Sequence, residues 1–306
     1  MTLTELRYIV AVARERHFGR AAEACFVSQP TLSVSIKKLE EELDVKIFER
    51  GASEVTVTPL GGDLVRQAQQ VLEQAAAIKE IAKRGKDPLS GPLRLGVIYT
   101  IGPYLLPDLV RQAIERVPQM PLMLQENFTA KLLEMLRTGE LDCAIMAEPF
   151  PDAGLAIAPL YDEPFLAAVP TAHPLAKRKS ITAEELKQET MLLLGTGHCF
   201  RDHVLEVCPE YARFSSDADG IRKTFEGSSL ETIKYMVASG MGVTVVPRLS
   251  VPEELQPHVR YIPFAKPAPT RRVVLAWRRT FTRYEAIAAL RNVIYACPLT
   301  GVKRLS

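Results

Sequence analysis

The chain has 306 residues, 47% of them hydrophobic and 24% charged, with a formal net charge of +2. That is enough apolar material for two or three packed domains, and it excludes a disordered or fibrous chain. No apolar run reaches about eighteen residues and the start lacks a basic-then-apolar leader, so no membrane span or signal peptide is expected and the expected compartment is the cytoplasm. Cys25, Cys143, Cys199, Cys208 and Cys297 are odd in number and irregularly spaced, which in a reducing compartment argues against a structural disulfide framework. The small net charge leaves nucleic-acid binding to local patches. Residues 1–38 form such a patch, with Arg7, Arg14, Arg16, Arg20, Lys37 and Lys38 against Glu5, Glu15 and Glu23.

In chain order, Leu3, Leu6, Ile9, Val10 and Ala13 make one helical face, and Ala21, Ala22 and Cys25 make a second of small residues suited to close packing. Ser28 before Gln29 and Pro30 is a cap followed by a first-turn proline, the start of a third helix. There Leu32, Ile36, Leu39 and Leu43 recur at helical spacing and should face inward, which turns Thr31, Ser33, Val34, Lys37 and Lys38 outward. Two short helices joined tightly, the second showing small hydroxyls and lysines, describe a helix-turn-helix whose second helix can enter a major groove. Gln29 suits an adenine edge, Val34 a thymine methyl and Lys37 a phosphate or guanine; an ordinary helical hairpin with solvated lysines fits the periodicity equally well. The acidic run Glu40 to Glu42 marks the expected end of the basic surface.

The string Ala21-Ala22-Glu23-Ala24-Cys25-Phe26-Val27-Ser28-Gln29-Pro30-Thr31-Leu32-Ser33, continuing through Ile36, Leu39, Glu40, Leu43, Phe48 and Arg50, resembles the signature of the LysR-type transcriptional regulators. It departs at Cys25, where leucine is usual, and at Asp44, where the helix normally ends in glycine. Cys25 reads as a small hydrophobe, and aspartate enters the left-handed conformation more readily than most residues. The resemblance implies a winged helix-turn-helix domain over residues 1–58, with Ser28, Gln29, Pro30, Thr31, Ser33, Val34, Lys37 and Arg50 against double-stranded DNA and Val55 to Thr58 as a wing strand.

From Pro59 the pattern is one long helix in which Leu64, Ala68, Val71, Ala75, Ile78 and Ala82 alternate spacings of four and three. Such a seam implies dimerisation, with a helix lying on its own domain as the alternative. A dimer presents two recognition helices, so the DNA target should have dyad symmetry. Gly85 to Pro92 reads as a linker, making residues 59–90 the dimerisation helix and hinge. Strands at Leu93–Ile98, Leu122–Gln125 and Cys143–Met146 then alternate with helices at Tyr104–Arg116 and Ala130–Arg137. This βαβ pattern builds a parallel sheet with ligands at the carboxyl ends of its strands, where Thr100 and Thr129 fall. A second unit, residues 163–266, holds Phe165 to Val169, Met191 to Leu194, and a Gly227-Ser228-Ser229 turn opening a helix that ends at Gly240 before Val243 to Val246. The tail from 267, with Val273 to Trp277, is expected to return to the first unit, joining residues 91–162 and 267–306. The fold class is α/β: an N-terminal all-α winged helix-turn-helix and linker helix, then two α/β subdomains that resemble the periplasmic-binding-protein-like regulatory domain of the LysR family.

Within the second unit, Gly195-Thr196-Gly197 is a turn, and Phe200, Val204 and Cys208 share one face of a short helix that Pro209 helps to stop. Cys199 then stands at the amino end of that helix beside His198 and Arg201, a setting that favours a thiolate, and Cys208 lies on the buried face. A helix terminus contributes about 0.3–1 kcal/mol, less than the roughly 1.4 kcal/mol of one pKa unit, so His198 and Arg201 must add to it. Nine helical residues span about 13 Å, against about 5.5 Å between disulfide Cα atoms, so bonding Cys199 to Cys208 would require the helix to unwind. Two other readings stay open on these residues: cysteines buried for packing, which Cys143 and Cys297 keep, and a zinc site from His198, Cys199, His203 and Cys208, whose spacing is unlike paired zinc motifs.

Gly197-His198-Cys199-Phe200-Arg201-Asp202 followed by Cys208, together with Phe18-Gly19-Arg20-Ala21-Ala22 and Gly102-Pro103-Tyr104-Leu105-Leu106-Pro107, is similar to the peroxide-sensing, OxyR-like branch of the LysR family. The resemblance implies that Cys199 is the thiol oxidised by hydrogen peroxide and Cys208 its resolving partner, the disulfide altering how a homotetramer sits on promoter DNA as an activator. It places Thr100, Thr129, His198, Arg201 and Asp202 around the peroxide. RNA polymerase and a cellular thiol reductant are implied partners, with no cofactor, metal, membrane or enzymatic activity. Gly195-Thr196 departs from this branch, where acidic residues are frequent. Two other functions stay open: a metabolite-responsive LysR-type regulator with Thr100, Thr129 and Ser228 as polar contacts, and a thiol peroxidase that binds DNA.

Overall fold

The computed structural model describes residues 1–50, 55–83, 89–209, 226, 227 and 229–305, the side chains of residues 50, 79–83 and 226 excepted. Ser228, the side chains of Arg50 and Ala82, and residues 85–88 of the expected linker lie outside the described residues. The chain divides into two compact units, one built on Met1–Pro88 and one holding most of the chain from Leu89 on.

In the first unit, α1 (Leu3–Glu15) opens on a capping box in which the Thr2 hydroxyl and the Glu5 carboxylate each accept the other residue's backbone N–H. It is followed by α2 (Phe18–Ala24) and α3 (Gln29–Leu43). Ser28 caps α3 by accepting from Thr31 N at 3.3 Å, and a proline sits in the first turn. Leu32, Ile36 and Leu39 are buried as their spacing requires, but Leu43 is 36% exposed. The helix stops one residue later at Asp44, which takes a left-handed φ of 52°, so its last turn projects past the core. Glu40 opens the acidic run at which the basic surface is expected to end, and it is not a surface charge. It is buried, and its carboxylate accepts the backbone N–H groups of Ile47 (2.8 Å) and Phe48 (3.1 Å). That anchors the wing, in which β1 (Phe48–Arg50) pairs antiparallel with β2 (Val55–Val57).

The linker helix α4 (Pro59–Lys83) begins against the wing; a Cβ on Gly61 would stand 2.2 Å from the Ile47 carbonyl oxygen, so only glycine allows that approach. Ala68 is part of the core formed by α1 to α3, and Leu64 packs against it, whereas Ile78 is 69% exposed. The seam therefore divides: Leu64 and Ala68 lie on their own domain, whereas Val71 is exposed, Ala75 partly buried and Ile78 exposed.

In the second unit, β3 (Leu93–Ile98), α5 (Gly102–Arg116), β4 (Leu122–Asn127), α6 (Thr129–Arg137) and β5 (Cys143–Ala147) alternate, with β3 parallel to both β4 and β5. β6 (Leu155–Pro170) is one strand of 16 residues. There follow α7 (Ala183–Leu186), β7 (Leu193–Leu194), α8 (Cys199–Val207), β8 (Glu226–Gly227), α9 (Leu230–Ala238), β9 (Thr244–Pro247), β10 (Val259–Pro263), β11 (Thr270–Arg278), α10 (Tyr284–Ala296) and β12 (Lys303–Arg304). The first half of β6 pairs with β11 and its second half with β9 and β10, so a single strand belongs to two sheet regions. The sheet is mixed rather than purely parallel: β11 runs antiparallel to β5, with Val273 opposite Ala147 and Trp277 opposite Cys143. The strand expected from Met191 is only Leu193–Leu194, because Met191 makes an isolated bridge to Val243. Helix α10 is additional to the expected elements, although Ile287, Leu290 and Ile294 recur at helical spacing and are buried.

Candidate functional site

Parallel neighbours β3 and β4 end side by side, which sets the loop carrying Tyr99 and Thr100 beside Phe128 and the first residue of α6, Thr129. The turn after β7 brings Gly197, His198 and Cys199 to the same point. Together with Ile98 and Asn127 these residues line a small, partly open pocket of about 10 Å³. That is room for one water-sized molecule.

Polar groups are directed to this small space by anchors outside it. The guanidinium of Arg271 donates Nη1–H to Thr100 Oγ1 at 2.7 Å and Nη2–H to the Thr100 carbonyl at 3.0 Å. With its oxygen already accepting from a cation, the Thr100 hydroxyl has its own proton left to donate. Arg271 is buried and paired at 2.8 Å with the equally buried Glu163, so the charge is compensated. Thr129 Oγ1 is buried and has no hydrogen-bond partner among the described residues. A buried hydroxyl without a partner is costly unless a small polar molecule satisfies it.

Cys199 is half-buried at the first position of α8, whose N-cap is His198; Cys208 follows the last turn and is fully buried in a core with Phe165, Leu193, Phe200 and Val204. None of the five cysteines is in a disulfide. The helix is continuous between the two, which separates them by about 13 Å of rise. Burial pushes the Cys143 thiol far up and the Cys297 thiol up to about 11, so both stay protonated and inert. Cys25 is likewise raised by burial.

Arg201 and Asp202 are not on the cavity wall. At about 100° per residue, Arg201 is turned to the side of α8 opposite Cys199, whereas Asp202, three positions on, shares the Cys199 side but points to solvent. Arg201 is buried and donates Nη1–H to the Leu194 carbonyl at 3.1 Å, while Asp202 is exposed. Gly195 and Thr196 also stand off the wall; the Gly195 N–H bonds the Gly227 carbonyl and Thr196 is exposed. His203 donates Nε2–H to the Glu148 carbonyl at 2.7 Å. Among the described residues no group of three or more His, Cys, Asp or Glu is placed to hold a metal ion. No helix among them is long and apolar enough to cross a membrane. The residues that sequence reasoning missed are Tyr99, Phe128, Glu163 and Arg271. Their contacts come from chain segments far apart, and no local spacing signals them.

In the first unit, Ser28, Gln29, Pro30, Thr31, Val34, Lys37 and Lys38 are exposed on or beside α3, Ser33 is partly covered, and Lys37 Nζ lies 3.5 Å from Glu41.

Residues 3–62 match the family described as bacterial regulatory helix-turn-helix protein, lysR family, and residues 86–296 match the LysR substrate binding domain. The chain is 41% identical over 292 residues to the Escherichia coli K12 protein named DNA-binding transcriptional dual regulator OxyR, covering 94% of each. It is similar to full-length OxyR of Pseudomonas aeruginosa carrying a cysteine-to-aspartate change, with a TM-score of 0.78 and 52% identity over 97% of this chain and 98% of that one. A Corynebacterium glutamicum OxyR cysteine mutant described as H2O2-bound has a TM-score of 0.64 at 33% identity, over 96% of this chain and 91% of that one. The chain belongs to the LysR family of bacterial helix-turn-helix regulators, in its OxyR branch.

Proposed function

We propose that this regulator responds to hydrogen peroxide through Cys199 and Cys208. The observation that carries the reading is the small pocket of about 10 Å³ at Cys199, lined by Thr100 and Thr129. At that size it suits only the smallest of ligands. In the proposed reaction the Cys199 thiolate attacks one peroxide oxygen, the S–O bond forms as the O–O bond breaks, and the departing hydroxide takes a proton to become water. Thr100 O–H and Thr129 O–H hold the peroxide in line with the sulfur and stabilise the departing oxygen. The Cys208 thiolate then attacks the Cys199 sulfenic sulfur and a second water leaves, giving the disulfide. Because α8 separates the two sulfurs, closure unwinds α8 and withdraws Cys208 from the core. That rearrangement is the signal.

The output in this reading is promoter DNA with dyad symmetry, bound by α3 of each subunit through Gln29, Thr31, Val34 and Lys37. Val71 and Ile78, exposed along the linker helix, support self-assembly as a dimer and then a tetramer. RNA polymerase and a cellular thiol reductant complete the cycle, in the cytoplasm. Mass mapping after peroxide treatment tests the chemistry: a Cys199–Cys208 linkage is expected, and a Cys208→Ser chain should stop at one added oxygen on Cys199. An unmodified Cys199 would overturn the reading. A thiol peroxidase would consume many equivalents of peroxide with reductant present, whereas a sensor takes one per response. A metabolite-responsive regulator is favoured by one observation, a neighbouring cleft of about 210 Å³ that includes Thr100, Glu126 and Glu231. In that case Cys199→Ser would leave induction intact.

A further inference from the structure

Two cavities meet at the redox turn. The smaller, about 10 Å³, contains Cys199. The larger, about 210 Å³, extends past Pro103, Tyr104 and Leu230. Tyr99, Thr100 and His198 border both, so the space beside the thiol and the space that would take a larger group are separated only by shared walls.

Those walls are aromatic. The rings of Tyr99, Phe128 and His198 form a closed set of three, with centroids 5.2 Å apart for Tyr99 and Phe128, 5.8 Å for Tyr99 and His198, and 4.8 Å for Phe128 and His198. All three pairs meet edge-on or tilted, the favoured arrangement for aromatic rings. His198 is buried beneath the other two rings, whereas Tyr99 and Phe128 are more than a third exposed. Gly197 makes the closure possible: it holds φ at +98°, and a Cβ there would stand 3.3 Å from the Phe128 ring, so the ring lies directly on the turn that presents Cys199.

Resting on the peroxide reading, we infer that Tyr99 and Phe128 are the residues that restrict Cys199 to hydrogen peroxide and exclude alkyl hydroperoxides. The chemistry alone does not discriminate. In either case the thiolate forms a bond to the nearer oxygen, the O–O bond breaks, cysteine is oxidised to the sulfenic acid, and the leaving hydroxide or alkoxide takes a proton to become water or an alcohol. What differs is the carbon substituent on the far oxygen. The space beside Cys199 is small, and the rings of Tyr99, which also borders the larger cleft, and of Phe128, which lies on the turn that presents Cys199, stand where that substituent would have to go.

The test compares the rates at which hydrogen peroxide and tert-butyl hydroperoxide oxidise Cys199 in the reduced full-length protein, read by quenching and mass spectrometry. In Tyr99→Ala and Phe128→Ala the ratio of the tert-butyl rate to the hydrogen peroxide rate should rise by about tenfold or more, the scale at which a pocket discriminates one or a few carbon atoms. Tyr99→Phe keeps the ring and should leave the ratio at the wild-type value. An unchanged ratio in both alanine variants overturns the inference, including the case where a damaged site slows both rates together. Equal rates with the two peroxides in the wild type overturn it as well. Failure of hydrogen peroxide itself to oxidise wild-type Cys199 is a separate result, and it removes the peroxide reading first.

Discussion

The guanidinium of Arg271 lies over the ring of Phe200, 5.1 Å from its centroid, so the residue next to Cys199 rests on a buried cation. The same guanidinium holds both oxygens of Thr100, a residue that lines the pocket. One side chain therefore positions the helix that begins at Cys199 and the Thr100 hydroxyl together. Glu163 makes this possible by pairing with Arg271 and by accepting the Leu249 N–H at 2.7 Å.

Removing that counter-charge should be expensive. Glu163→Gln leaves the guanidinium buried without a full partner, and the expected loss is about 3–5 kcal/mol in urea unfolding. Replacing both members, as Glu163→Gln with Arg271→Met, should recover part of that loss, because neither charge then remains alone. A loss below about 1 kcal/mol for Glu163→Gln would show that the pair does not hold this region.

His203 predicts a pH dependence. Burial is the main cause that lowers its pKa below the ordinary 6.5, against the opposing effect of its bond to the Glu148 carbonyl, and Nδ1 is buried without a partner among the described residues. The unfolded chain therefore takes up a proton at a higher pH than the folded one. Stability from this residue is present above about pH 6.5 and is lost as the pH falls toward the folded value. His203→Gln keeps a donor for Glu148 and removes the titration, so the slope of unfolding free energy between about pH 7.5 and 5.5 should become shallower in the variant.

Glu40 should matter as a wing anchor rather than a surface charge. Glu40→Ala strands two buried N–H groups, those of Ile47 and Phe48, at roughly 1–3 kcal/mol each. Thermal unfolding should fall accordingly. Glu40→Gln, which retains one acceptor, should lose less, and equal losses in the two variants would argue against the hydrogen bonds as the cause.

Lys37 tests the DNA interface. It is exposed on α3 with Glu41 3.5 Å away, a surface pair worth little by itself. Lys37→Ala should weaken binding to all sequences about equally, and it should reduce the steepness of the salt dependence by about one counterion if the contact is to a phosphate. A selective loss at one base position would instead assign Lys37 to a guanine edge.

The sequence by itself determined which faces turn inward. Leu32, Ile36 and Leu39 on α3, and Phe200, Val204 and Cys208 at α8, are buried because helical periodicity dictates it. It also set Cys199 at a helix start and Cys208 at the far end of the same helix, so the distance between them followed from rise per residue alone. Thr100 and Thr129 were legible as loop residues at strand ends, but on the residues alone nothing joined them to Cys199. Tertiary structure decided that. The parallel register of β3 and β4 sets two loops side by side, and Arg271 reaches Thr100 from 171 positions away. Periodicity tells where an apolar side chain must go, whereas a buried charge or an aromatic ring in a loop goes where a partner waits, and that partner is chosen by pairing between distant strands. For this reason the anchoring role of Glu40, the pairing of Glu163 with Arg271 and the placement of Tyr99 and Phe128 over the redox turn come only with the fold.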